Sequence, residues 1–209
     1  MSPSARMRPP SLRTVAPQLV VWLGAIFAVQ PVAAQSVMVD ILTSEGPIRA
    51  EIYVDRAPIT AQNFLAYVDD ALFDGGSFFR VVRMDNQPND SVRIEVIQGG
   101  PDGPAVRDRL RPAIPLERTR DTGLRHVDGA LSMARGGADS ARSQFFICIG
   151  DQPSLDFGGN RNLDGQGFAV FGQVIEGMDV VRRIQQGVTE GQRLVEPITI
   201  EHVRRTSGR

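Results

Sequence analysis

Between Gly129 and Gly150 the chain reads GALSMARGGADSARSQFFICIG, and this stretch admits few folds. Its end, Ser143-Gln144-Phe145-Phe146-Ile147-Cys148-Ile149, is a strand-length run of aromatic and β-branched residues stopped by Gly150. Strand alternation puts Gln144, Phe146 and Cys148 on one face and Phe145, Ile147 and Ile149 on the other. A Gln at the mouth of such a run needs partners for its carbonyl and its NH2. An amide beside a phenyl ring suits a polypeptide with an apolar side chain. The same residues also fit a core strand whose Gln is exposed or internally bonded, so this run alone leaves both readings open.

The rest of the chain repeats the pattern. Strands are expected at 37–43, 48–54, 78–82, 92–98, 130–133, 168–174 and 198–203, the first two joined as a hairpin through Ser44-Glu45-Gly46-Pro47. Helical spacing of Ala61, Phe64, Leu65 and Val68 behind Pro58 predicts a helix over 55–70, since proline is tolerated in a first turn whose N–H groups are unpaired anyway. A second helix is expected at 178–186, with Val180, Val181 and Ile184 inward. Residues 83–93 read as a polar surface excursion, 99–125 as a long ordered surface loop, and 204–209 as a frayed tail. The class is therefore mainly β. Eight strands with one early and one late helix fit a closed antiparallel barrel with a helix over each end, and strand count alone also permits a sandwich.

Composition removes several chemistries. The chain has no Lys, which excludes a Schiff base and a Walker-type phosphate loop. Cys148 is the single cysteine, so no intrachain disulfide can form, and within an apolar strand it reads as a small buried hydrophobe. His126 and His202 stand far apart without ligand spacing, so neither reads as catalytic or metal-binding. Asn160-Arg161-Asn162-Leu163-Asp164-Gly165 opens like a calcium loop, but its twelfth position is Phe171 and not the bidentate Glu. No metal and no cofactor is expected.

The N-terminus carries an address. Arg6, Arg8 and Arg13 precede an apolar run from Leu19 to Val29, followed by Val32-Ala33-Ala34-Gln35, which reads as a secretory signal peptide over 1–34 cut after Ala34. An uncleaved anchor is the alternative, although the 11 residues from Leu19 to Val29 are short for a bilayer that needs ~20. The remaining domain, 35–209, has 20 basic against 24 acidic residues, which argues against a nucleic-acid partner. A periplasmic or secreted monomer is expected, touching membrane only through its signal peptide.

LSMAR followed by SQFFICIG and FAVFGQVIEGMDVV, with SFFRVV and QGG upstream in the same order, resembles the cyclophilin family of peptidyl-prolyl isomerases. The resemblance spans nearly all of 37–203. It implies a closed eight-stranded antiparallel barrel capped by two α-helices, and rotation of X-Pro bonds in Pro-containing polypeptide substrates. It leaves open a non-catalytic cyclophilin-like module that only binds such segments.

The same resemblance implies the site. Arg80 matches the family's catalytic arginine, Gln98 the glutamine that buttresses it and the substrate carbonyl, and Phe146 the floor of the proline pocket. Gln144 matches a substrate-contacting amide and Leu155 an apolar wall. Ala134 and Arg135 match the segment whose backbone pairs with the peptide, with Arg135 where members often carry Asn. Phe168 stands where many have His, keeping a wall and losing a polar contact, and Ser154 replaces a large aromatic that cyclosporin uses. The 17 residues between Arg80 and Gln98 exceed the usual spacing. Within that interval, period two predicts Ile94 and Val96 on the face of Gln98, with Val96 lining the pocket and Glu95 turned away toward Arg93.

Overall fold

The computed structural model describes residues 36–206; the expected signal peptide, 1–34, lies outside them. The elements, in order, are β1 (Ser36–Thr43), β2 (Gly46–Tyr53), α1 (Pro58–Asp69), β3 (Ser77–Val82), β4 (Val96–Gly100), α2 (Pro104–Arg107), α3 (Thr119–Thr122), β5 (Ala130–Met133) and β6 (Phe145–Cys148). After a 3-10 turn at Pro153–Leu155 come β7 (Ala169–Glu176), α4 (Met178–Gln185), β8 (Thr189–Glu190) and β9 (Arg193–Thr206).

The sheet runs β1-β2-β7-β5-β6-β4-β3-β9, and β9 pairs back onto β1 from Met38↔Thr206 to Thr43↔Ile200. Every pairing is antiparallel, so eight strands close into a barrel, as expected. The two-residue β8 only extends β9 at its edge. Alternation sends Ile41, Ile48, Ile52, Ile97, Leu131, Phe145 and Ile147 into a fully buried core. α1 seats Phe64 on Phe145 and Phe171, with ring centroids 5.4 and 5.0 Å away, and α4 buries Val180, Val181 and Ile184.

α1 has no capping side chain of its own. Glu117 supplies one from the loop 58 residues later: its carboxylate accepts Ile59 N–H at 3.1 Å and Thr60 N–H at 2.7 Å. Those N–H groups have no partner within the helix, and a carboxylate there also suits the helix dipole. The long loop is thereby tied down, and it contains the one-turn helices α2 and α3, which are too short to leave a periodic signal.

Three expectations are corrected. The strand expected at 92–98 begins only at Val96, because the side chain of Gln87 replaces a neighbouring strand for Ile94: its Nε2 donates to Ile94 O at 2.8 Å and its Oε1 accepts Ile94 N–H at 3.2 Å. The tail is not frayed as far as Thr206, since β9 stays paired with β1 and Arg204 and Arg205 bind Asp74 and Asp69. The early helix starts at Pro58 rather than at 55.

Candidate active site

One lateral row of residues crosses the outside of the barrel. In register, Arg80 on β3 faces Gln98 on β4, Gln98 faces Phe146 on β6, and Phe146 faces Ser132 on β5. A β-bulge between Phe78 and Arg80 makes this possible. Without it Phe78 and Arg80 would share a face; the extra residue lets Phe78 enter the core while Arg80 stays outside. Gly99 completes the device, because a Cβ there would lie 2.8 Å from Phe78 Cδ1 and 2.8 Å from Ser77 O.

Eight of the nine expected site residues line one cavity of about 240 Å³: Arg80, Val96, Gln98, Ala134, Arg135, Phe146, Leu155 and Phe168. The ninth, Gln144, lies in the adjoining depression with Gln98, Ala134 and Arg135, and its Oε1 accepts Gln98 Nε2–H at 3.0 Å. Arg80 Nη1 donates to Gln98 Oε1 at 2.7 Å, and its Nε and Nη2 both donate to Gln192 Oε1. Burial, with Arg161 next to it, pushes the Arg80 guanidinium below its ordinary value. Among the described residues no carboxylate forms an ion pair with it.

The apolar floor is an aromatic group. Phe146 meets Phe168 edge-on at 5.3 Å and stacks on His126 at 6.0 Å. Arg135 lies over the Phe168 ring at 5.1 Å, donates to Gly167 O at 2.7 Å, and binds both Asp164 oxygens at 2.8 and 2.9 Å. That pair, with the Gln166 N–H that Asp164 Oδ1 accepts at 2.9 Å, holds the Asp164 carboxyl at about 2. Arg135 thus contributes a side chain as well as the backbone that the resemblance implied.

Sequence reasoning missed several contributors. Ile94, Arg161 and Asn162 complete the lining. Arg161 bridges two loops, donating to Val92 O at 2.7 Å and pairing with Asp90 at 3.1 Å. His126, fully enclosed behind the floor, has Nδ1 2.7 Å from Asp156 Oδ1 and Nε2 3.0 Å from Ser132 Oγ. Burial lowers the His126 pKa although the hydrogen bond to Asp156 opposes the shift, and Ser132 Oγ in turn donates to Ala169 O at 3.0 Å. Only Ile94 had a signal in the sequence, its parity with Val96 and Gln98.

Parity also predicted Glu95 correctly in direction: its carboxylate accepts Gln185 Nε2–H at 3.2 Å from α4, away from the cavity, while Arg93 turns to Met84 O and does not pair with it. Glu95→Gln is therefore expected to change kcat/KM for a small X-Pro peptide by less than about threefold. Val96→Ala should lower it several-fold, a pocket methylene being worth ~1 to 3 kcal/mol. A protease-coupled assay on both variants checks the ranking.

The family model described as cyclophilin type peptidyl-prolyl cis-trans isomerase/CLD matches residues 38–205. This chain belongs to that family. A peptidyl-prolyl cis-trans isomerase of Acinetobacter baylyi is 39% identical over 153 residues, 73% of this chain and 73% of the relative. Peptidyl-prolyl cis-trans isomerase B of Escherichia coli is 35% identical over 156 residues, 74% and 87% of the two chains. Among solved structures, a cyclophilin type isomerase of Cryptosporidium parvum has the same fold, with a TM-score of 0.66 at 20% identity, covering 84% of this chain and 100% of that one. The same protein in the presence of the dipeptide Ala-Pro gives 0.64. In this cyclophilin the matching motifs are the ones that build the lateral row and its cavity.

Proposed function

We propose that this peptidyl-prolyl cis-trans isomerase rotates X-Pro bonds in polypeptides folding outside the cytoplasm, with Arg80 as its catalytic residue. Rotation breaks the C–N resonance at a barrier of ~18–20 kcal/mol and needs no nucleophile or base. As the bond twists, the proline nitrogen regains its lone pair. A guanidinium N–H aimed there binds the twisted state better than either planar one, and only such a difference speeds the reaction. Gln98 holds Arg80 and the substrate carbonyl, and Phe146 is the floor on which the proline ring rests. Val96, Leu155 and Phe168 wall the ring, while Ala134, Arg135 and Gln144 bind the flanking peptide.

The observation that carries this reading is the unpaired guanidinium: Arg80 faces an aromatic-floored cavity held by amide oxygens alone. NMR exchange spectroscopy on an Ala-Pro-containing peptide tests it. Catalysed cis-trans exchange supports the enzyme, and binding without exchange would make the protein a holding module.

Export rests on the basic and apolar pattern of residues 1–34. The expected result is a mature protein that begins at Gln35, read by intact mass on extracytoplasmic material. A full-length membrane-bound species would replace cleavage by anchorage.

A further inference from the structure

Arg80 is gripped from two sides. Of its five N–H donors, one goes to Gln98, and the Nε and Nη2 edge converges on the single oxygen Oε1 of Gln192. Gln192 lies 112 residues further on, in the turn between β8 and β9, next to Arg193, the register partner of Arg80 on the neighbouring strand. Its own position is fixed three ways. Its carbonyl accepts Val81 N–H at 2.9 Å, Arg193 beside it is in register with Arg80, and its Nε2 donates to Asn86 O at 3.4 Å. Asn86 is fixed in turn, donating to Val81 O at 3.1 Å and accepting Arg83 N–H at 2.8 Å. The residues that follow β3, the beginning of the lengthened interval between Arg80 and Gln98, therefore close behind the guanidinium.

The two N–H groups on one edge of a guanidinium usually go to the two oxygens of a carboxylate, whereas those of Arg80 converge on one oxygen. Here the oxygen is neutral. It fixes the plane of the fork, which a single bond to Gln98 cannot do, and it leaves the positive charge uncompensated. A carboxylate at the same position would hold the fork equally well but would lower the potential at the proline nitrogen.

We infer that Gln192 is a positioning residue for Arg80, supported by Asn86, and that it serves as an amide so that the guanidinium keeps its charge for the twisting bond. This rests on the assignment of Arg80 as the catalytic residue.

The test measures kcat and peptide Kd separately by NMR exchange on the full-length protein, alongside the Arg80 Nε–H resonance and Tm. Gln192→Ala is expected to lower kcat about 10- to 100-fold, the scale of a small misplacement of a catalytic group, with Kd changed less than about threefold. Its Nε–H signal should broaden. Gln192→Glu, equal in shape and able to accept both donors, should keep a sharp Nε–H signal and still lose about 10-fold or more in kcat. In an Arg80→Ala background, Gln192→Ala should cost less than about twofold further, because a residue acting through Arg80 has nothing left to position. Wild-type kcat in Gln192→Ala overturns the positioning role, as does an undiminished loss in the Arg80→Ala background. Wild-type kcat in Gln192→Glu overturns the role of the amide, and this near-isosteric variant remains decisive if Gln192→Ala fails to fold. Full activity in Arg80→Ala alone overturns the underlying assignment instead, so the two failures are told apart.

Discussion

Arg80→Ala is expected to lower kcat/KM by about 10²- to 10³-fold, the loss typical of removing one preorganised donor from a developing charge. The fold should survive. Arg80 lies outside the barrel, and its removal frees only amide oxygens of Gln98 and Gln192 at the edge of an open cavity, where water can replace the lost bonds. A change of ~1 kcal/mol corresponds to about 2–4 °C in Tm for a domain of this size. Arg80→Lys separates charge from geometry. An ammonium keeps the charge but cannot grip two glutamines with a planar fork, so at most about a tenth of the activity should return. Protease-coupled assays and melting curves on the same preparations decide it, and a well-folded Arg80→Ala with near wild-type turnover would sink the mechanism.

What could be read in the sequence follows from how local its cause is. The barrel strands alternate over four to eight residues in most cases, so period two predicts their faces, and the parity of Ile94, Val96 and Gln98 survives where the strand itself does not. Arg80 is different. Strict alternation would place it with Phe78, and only the bulge, visible once β3 is laid against Gly99, separates the two. The family's motif order identified Arg80 without explaining its orientation. Gln192 and Glu117 could not be found in this way at all, since each acts on an element far away in sequence through a single side chain. Spacing marks His126 as neither catalytic nor metal-binding, and the structure puts it behind the floor, bonded to Asp156 and Ser132. Its contribution depends on ring stacking against Phe146, which spacing does not encode.

That stacking makes Phe146→Ala the second large expected effect. Phe146 is only 4% exposed, yet it belongs to the outer face of β6, between Gln98 and Ser132 in register, while its neighbours Phe145 and Ile147 fill the barrel. Two separate quantities therefore respond. Truncating a buried phenyl costs ~3–5 kcal/mol of stability, and here the lower end applies, because the barrel core keeps both neighbours and the vacated space opens to the cavity rather than remaining a sealed void. At about 2–4 °C per kcal/mol, Tm should fall by roughly 6–12 °C. Binding loses the surface on which the proline ring rests. Burying a phenyl is worth ~1.5–3 kcal/mol, and 1.4 kcal/mol is tenfold, so kcat/KM should fall by about 10- to 100-fold, mainly through a weaker Kd, since the ring contacts planar and twisted states alike. Phe146→Leu is the control for packing: it retains most of the volume, so Tm should recover most of the loss while the flat ring face is still missing and Kd stays several-fold weak. Measured Kd and kcat on folded protein separate this floor from Arg80, whose loss should appear in kcat. A Phe146→Ala enzyme with unchanged Kd and reduced kcat would move the phenyl from substrate binding to support of the guanidinium.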